Sequence, residues 1–251
     1  MEGKGTPVAI VTGGTRGLGR AIAERLLADG WEVAVCGRRP PEMPVMAAGR
    51  EALALAADIR DPEAVMKLVA DVVARFGRLD LLVNNAGGAP KVDLVTSSPS
   101  LIEKIVTLNL LAPLYVSQAA QPHLAATRGC IVNIASVSGR RPSPGTTAYG
   151  AAKAGLLSAT TSLAQEWGPA VRVNAIVVGL VEDHDQMEHY GGAAGVTRIG
   201  AAIPLGRMAR GPDLANLVTW LASSEAAYVS GACIDLHGGG EPPAFLDLAR
   251  G

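Results

Sequence analysis

Tyr149 and Lys153 stand four positions apart in a segment of helical period. The phenol and the ammonium therefore share one helix face, with Cβ atoms about 5–6 Å apart. An unperturbed tyrosine titrates near ~10, too high for efficient proton exchange at neutral pH. Lowering it by ~2–3 units takes roughly 3–4 kcal/mol of preference for the phenolate. One ammonium about 4 Å away supplies about that much at an effective dielectric of ~20. Such a pair is suited to handing a proton to an oxygen and taking it back. A second chemical signal lies near the start, where Thr12-Gly13-Gly14-Thr15-Arg16-Gly17-Leu18-Gly19 joins an apolar run to a helical pattern. Glycine permits the tight turn and lets backbone approach a pyrophosphate closely, while the helix start offers N–H groups and a partial positive charge. The glycines at 13, 17 and 19 do not spell GxGxxG, and alone they also fit an ordinary strand-to-helix turn.

Those residues need a frame. Short β-type runs at residues 7–12, 32–37, 52–57, 79–84, 129–135, 171–177 and 232–236 alternate with helical patterns at 18–29, 62–76, 98–126, 148–167 and 212–222. Most runs are continuously apolar, as parallel strands covered on both faces must be. Strand and helix in alternation predict an α/β fold: a single-domain, Rossmann-type, doubly wound parallel sheet of about seven strands with helices on both faces. Two segments break the rhythm. Three prolines within Arg38-Arg39-Pro40-Pro41-Glu42-Met43-Pro44 predict an irregular second crossover. Residues 180–206, long, polar and glycine-rich, read as a loop serving as a substrate lid.

The chain has 251 residues, a formal charge of −1, 49% apolar and 18% charged residues. That suits one domain with a large core and gives no global positive field for nucleic acid or anionic membrane. The first apolar run, residues 8–11, is too short for a signal-peptide core, and the longer apolar stretches are broken by charges or turn residues, so a cytoplasmic location is expected. Cys36, Cys130 and Cys233 form no CxxC and read as small buried hydrophobes. His184 and His189, with Asp183 and Asp185 nearby, lack the i, i+4 spacing of a zinc helix, so no metal site is expected.

The glycine pattern T-G-x-x-x-G-x-G resembles that of the short-chain dehydrogenase/reductase family, and the rest of the family's pattern follows in order. Asn84-Asn85-Ala86-Gly87 ends the fourth strand-like run, Asn109 lies in the long helical region, Ser136 ends the fifth run, and Tyr149-Gly150-Ala151-Ala152-Lys153 supplies Y-x-x-x-K. The likeness reaches Pro204-Leu205-Gly206-Arg207 and His237-Gly238-Gly239, nearly the whole chain, and leans towards members that reduce 3-oxoacyl thioesters. It implies hydride transfer between a nicotinamide dinucleotide and a carbonyl or alcohol. Tyr149 would donate the proton, Ser136 would hold the substrate oxygen, and Lys153 would tune Tyr149 and position the nicotinamide ribose. Asn109 would hold a water linking Lys153 to solvent. Gly13, Thr15, Arg16, Gly17, Leu18 and Gly19 would receive the phosphates, Asp58 and Ile59 would sit beside the adenine, and Asn85, Ala86 and Gly87 would line the adenosine side.

An NAD-type site places a carboxylate at the end of the second strand, where this chain has Gly37 followed by Arg38. Arg38, with Arg16 closing from the glycine loop, suits a 2′-phosphate, so NADP(H) is expected. The family's P-G-x-[IV]-x-T is altered here: Val178 precedes Gly179, and Asp183 stands where the family has Thr. Gly179 and the Val181 backbone remain to meet the carboxamide. An NAD-linked alcohol or hydroxysteroid dehydrogenase and a non-catalytic dinucleotide sensor are the alternatives. A pocket formed near residues 88–95, 137–147 and 180–206 leaves 3-oxoacyl thioesters, steroid or terpenoid ketones and ring ketones open. By resemblance a homotetramer is expected, built on the long helices and the C-terminal region, with the 241–251 tail on a neighbouring subunit.

Overall fold

Every side chain of Val8–Thr12 (β1) is buried, the pattern of a strand covered on both faces. The computed structural model describes residues 5–182 and 190–243. After β1 come Gly17–Ala28 (α1), Glu32–Gly37 (β2), a short antiparallel hairpin of Met46–Ala47 (β3) and Arg50–Glu51 (β4), then Leu53–Ala56 (β5). No helix forms between β2 and β5, as the prolines predict.

Pro62–Phe76 (α2) matches its expected limits because both ends are written locally. The Asp61 carboxylate accepts the Glu63 N–H at 3.0 Å, Pro62 occupies the first turn, and Gly77 at φ 78° ends the helix in the left-handed region. Leu81–Asn84 (β6) follows. The long helix expected over 98–126 is in fact Pro99–Val106 (α3), a π turn at Thr107–Leu111, and Ala112–Thr127 (α4). A regular helix would send the N–H of residue 113 to the Asn109 carbonyl, and Pro113 has none. The composite Pro99–Thr127 is long and apolar enough to cross a membrane by composition, but Val116, Ala120 and Leu124 are buried in the protein core.

Cys130–Ser136 (β7), Thr147–Trp167 (α5) and Arg172–Val178 (β8) complete the central part. The expected loop over 180–206 contains a helix, Gly192–Ala202 (α6). Its glycines hide it from propensity, yet Gly195 and Gly200 are buried where the helix makes close contact. Gly211–Ala222 (α7) and Cys233–Leu236 (β9) finish the fold.

The seven long strands run parallel in the order β5-β2-β1-β6-β7-β8-β9. One core packs α1 and α7 on the sheet through Ile22, Leu26, Leu214 and Val218. The other packs α2 and α4 through Val65, Leu68, Val116 and Leu124. Strand order reverses between β1 and β6, and ligands bind such sheets in the crevice at the carboxyl ends of those strands. Asp183, His184, Asp185 and His189, and the tail beyond Pro243, lie outside the described residues.

Candidate active site

The crevice between β1 and β6 is closed by side chains at its floor. Thr12 Oγ1 accepts the N–H groups of Asn85 and Ala86 at 3.0 and 3.1 Å and donates to the Val83 carbonyl. Asn85 Nδ2 returns to the Thr12 carbonyl at 2.9 Å. Above this latch Gly13 turns at φ 64°, and Gly19 meets the loop so closely that a Cβ would lie 2.4 Å from Asn85 Nδ2 and from the Gly13 carbonyl. Arg16 precedes α1 as its cap residue, and a guanidinium has no acceptor with which to cap it. Gly13, Thr15, Gly17, Leu18 and Gly19 thus form a backbone cradle at a helix start, the geometry that receives an anion. Neither the sequence pattern nor local propensity disclosed the Thr12 latch, although its position in the motif was the available signal.

At the end of β2, a Cβ on Gly37 would lie 3.2 Å from Thr15 Oγ1. Arg38, exposed beside it, helps hold the Asp58 carboxyl below its ordinary range, though the larger cause is Arg60. Arg60 grips Asp58 through Nε at 2.9 Å and Nη2 at 2.5 Å. Asp58 is thus committed to an arginine that the sequence reading did not single out, while Ile59 is buried in the core. A cleft of about 380 Å³ is lined by Asp58, Arg60, Lys104 and Thr107.

At the other end of the crevice, the C-terminal residue of β7 is Ser136, and α5 carries Tyr149 and Lys153. Ser136 Oγ accepts the Ser138 N–H at 3.2 Å and lies near enough to Tyr149 to favour its phenolate. Burial pushes the half-buried Tyr149 phenol up, and the Ser136 hydrogen bond offsets part of that. Lys153 is 3% exposed, donates from Nζ to the Ile134 carbonyl at 2.8 Å, and is pushed down to about 8 by burial. Its Nζ sits 5.7 Å from the centre of the Tyr149 ring. Burial is the leading influence on both groups, and the ammonium is turned to a backbone carbonyl.

Asn109 is fully buried in the π turn. Its side chain grips Gly88 from both sides, Oδ1 accepting the Gly88 N–H and Nδ2 donating to the Gly88 carbonyl, each at 2.9 Å. Gly87 faces the same place, since a Cβ there would lie 2.7 Å from Asn109 Oδ1 and 3.2 Å from Lys153 Nζ. The structure thus brings Asn109, Gly87 and Lys153 together. Under them Asn84 donates to Ser117 and Asn133, and Asn133 donates to Thr160, linking β6, α4, β7 and α5.

On the far wall, Gly179 follows β8, where a Cβ would lie 2.6 Å from His237 Cβ. Val181 bridges Ala209 through its neighbours: Ala209 N–H donates to Leu180 and Glu182 N–H to Ala209. That pattern turns the Val181 N–H and carbonyl away from Ala209. A narrow groove of about 10 Å³ beside Tyr149 is lined by Pro90, Val92, Gly145, Thr146, Ile102 and Ile105, from two of the three segments expected to form the pocket and from α3. Cys36 and Cys130 are buried with thiols pushed up to about 11, and Cys233 is half-buried and also raised by burial.

Known proteins share this fold. A family model described as enoyl-(acyl carrier protein) reductase matches residues 13–241. The 3-oxoacyl-(acyl-carrier-protein) reductase FabG of Staphylococcus aureus is 34% identical over 250 residues, covering 94% of this chain and 98% of its own. The ligand-free aldohexose dehydrogenase of Thermoplasma acidophilum superposes with a TM-score of 0.87 at 27% identity, covering 93% of both chains. A single-substitution variant of the actinorhodin polyketide ketoreductase, solved with NADPH, superposes at 0.85 with 30% identity, covering 95% of this chain and 98% of its own. With a family model spanning nearly its whole length and the same sheet beneath it, the chain belongs to the short-chain dehydrogenase/reductase family.

Proposed function

We propose that the chain is an NADP(H)-dependent oxidoreductase that interconverts a ketone and a secondary alcohol, with Tyr149 as proton donor and acceptor. The observation that carries this reading is the meeting of Ser136, Tyr149 and Lys153 beside Gly87, at the carboxyl end of the sheet and next to the glycine cradle. The cradle fits a dinucleotide: Gly13 and Gly19 leave backbone exposed where a Cβ would block it, and α1 starts without a side-chain cap. Gly37 and Arg38 favour the 2′-phosphate, since no carboxylate stands at the end of β2 to repel it. When bound, the nicotinamide supplies or accepts the hydride. Ser136 holds the substrate oxygen, Tyr149 transfers the proton at that oxygen, and Lys153 keeps a positive charge close by. The Asn109 carbonyl, denied its regular donor by Pro113, is the group to anchor a proton path from Lys153. The Val181 backbone and Gly179 are suited to the carboxamide.

FabG is named for 3-oxoacyl substrates and the actinorhodin enzyme for polyketides, so acyl-chain ketones are the first substrate class. We place the protein in the cytoplasm as a homotetramer. The experiment is consumption of NADPH and NADH, in parallel, over 3-oxoacyl thioesters, steroid ketones and cyclic ketones, with Tyr149→Phe as control. NADPH-linked turnover lost in that variant is expected. Tight NADPH binding without turnover on any substrate would favour a non-catalytic sensor, and sedimentation as a monomer would refute the tetramer.

A further inference from the structure

After β7 the chain makes a 3-10 turn, Val137–Gly139, that packs on the first turns of α5. Two glycines let backbone touch backbone there. A Cβ at Gly139 would lie 2.8 Å from Ala154 N, and one at Gly150 would lie 2.8 Å from the Ser138 carbonyl. Close approach limits how near turn and helix come, but it does not stop one sliding along the other.

Hydroxyl groups fix that sliding coordinate. Ser143 Oγ donates to Ser138 Oγ at 3.0 Å and lies 2.6 Å from Thr146 Oγ1. Thr146 is the cap residue of α5, and its carbonyl accepts the Gly150 N–H at 2.9 Å. At the other end Ser138 donates its backbone N–H to Ser136 Oγ. That contact occupies an acceptor position of the Ser136 hydroxyl and leaves its proton for Tyr149. Ser143 itself stands between Pro142 and Pro144. Proline fixes its own φ and restricts the residue before it, so the loop presents the Ser143 side chain in few conformations.

We propose that Ser143 is a positioning residue for the Ser136–Tyr149 pair: by bridging Ser138 and Thr146 it holds the turn that aims the Ser136 hydroxyl at Tyr149. The inference rests on the reading of Ser136 and Tyr149 given above. It concerns a residue whose hydroxyl bonds to Ser138 and Thr146 and to neither Ser136 nor Tyr149.

Ser143→Thr and Ser143→Val have nearly the same shape and differ by the hydroxyl, with Ser143→Ala as a smaller second variant. For NADPH-linked reduction of a 3-oxoacyl thioester, kcat is expected to fall about tenfold in Ser143→Val and Ser143→Ala, roughly what one lost neutral hydrogen bond confers. Ser143→Thr should recover most of the rate, and KM for NADPH should stay within about twofold in all three. In a Ser136→Ala background, Ser143→Val should cost nothing further. Equal kcat in the Thr and Val variants would overturn the proposal, as would an undiminished Ser143→Val effect without the Ser136 hydroxyl. Turnover untouched by Ser136→Ala would sink the reading of the site itself, and the proposal with it.

Discussion

Lys153 Nζ donates to the carbonyl of Ile134, two residues before Ser136 on β7, at 2.8 Å. This bond crosses from helix to strand, so it fixes the spacing between the element that carries Tyr149 and the one that carries Ser136. It also explains the electrostatics of the site. The ammonium is held in the interior with a carbonyl dipole for company, and burial lowers its proton affinity to about 8. Tyr149 is moved in the opposite sense, upward, by the same desolvation.

The pH dependence of reduction follows with a definite sign. Tyr149 stays protonated throughout the neutral range, whereas Lys153 loses its charge as pH rises through about 8. Measured kcat/KM for ketone reduction should therefore be level below that value and decline above it. A profile that first falls near pH ~10, where an unperturbed tyrosine titrates, would show that the Lys153 charge is not required.

Stability should carry the same signature. The folded-state pKa of Lys153 is lowered from 10.5 to about 8, so its burial costs about 3 kcal/mol below pH 8 and nothing above 10.5. Lys153→Met removes that cost but strips the Ile134 carbonyl of its donor, a loss of about 1–3 kcal/mol. Urea unfolding should show the native chain gaining roughly 3 kcal/mol on the variant between pH 8 and 10.5. Parallel curves for the two proteins would contradict the assignment.

Arg38→Ala should raise KM for NADPH by about 10- to 100-fold, the worth of a charge-assisted contact to phosphate, and leave KM for NADH nearly unchanged. Steady-state kinetics with both cofactors decides it. Equal effects on the two would place the guanidinium away from the 2′-phosphate.

Gly87→Ala would put a methyl 2.7 Å from Asn109 Oδ1 and 3.2 Å from Lys153 Nζ. Both atoms are held by other bonds, so the expected outcome is loss of turnover by at least about tenfold, with the melting temperature lowered by only a few degrees. Retained turnover would mean that this corner of the site can yield.

The sequence was most informative where structure is encoded over a few residues. Asp61-Pro62 and Gly77 mark both ends of α2, and Tyr149 and Lys153 share a face because helical spacing requires it. Contacts between distant segments were less legible. Asn109 was visible as a site residue, but its grip on Gly88 joins positions that only the fold brings together. Arg60 on Asp58 escaped for another reason: it is a local pair that pattern reading passed over in favour of the nucleotide. α6 escaped because glycine lowers helix propensity, while burial of Gly195 and Gly200 lets packing override it.

The irregular segment between β2 and β5 is tied down at points outside the main sheet. Arg20, on α1, donates to the carbonyls of Met43 and Pro44 at 3.2 and 2.8 Å, and Ala52 N–H closes on Val45 at 2.9 Å. The stretch between those anchors and β2 contains Arg38 and Arg39 and contributes no strand to the seven-stranded sheet. Residues 38–42 therefore lie between β2 and the anchored Met43, outside the strands and the buried core. A change of length or charge in that stretch would leave the seven-stranded sheet and its two cores in place.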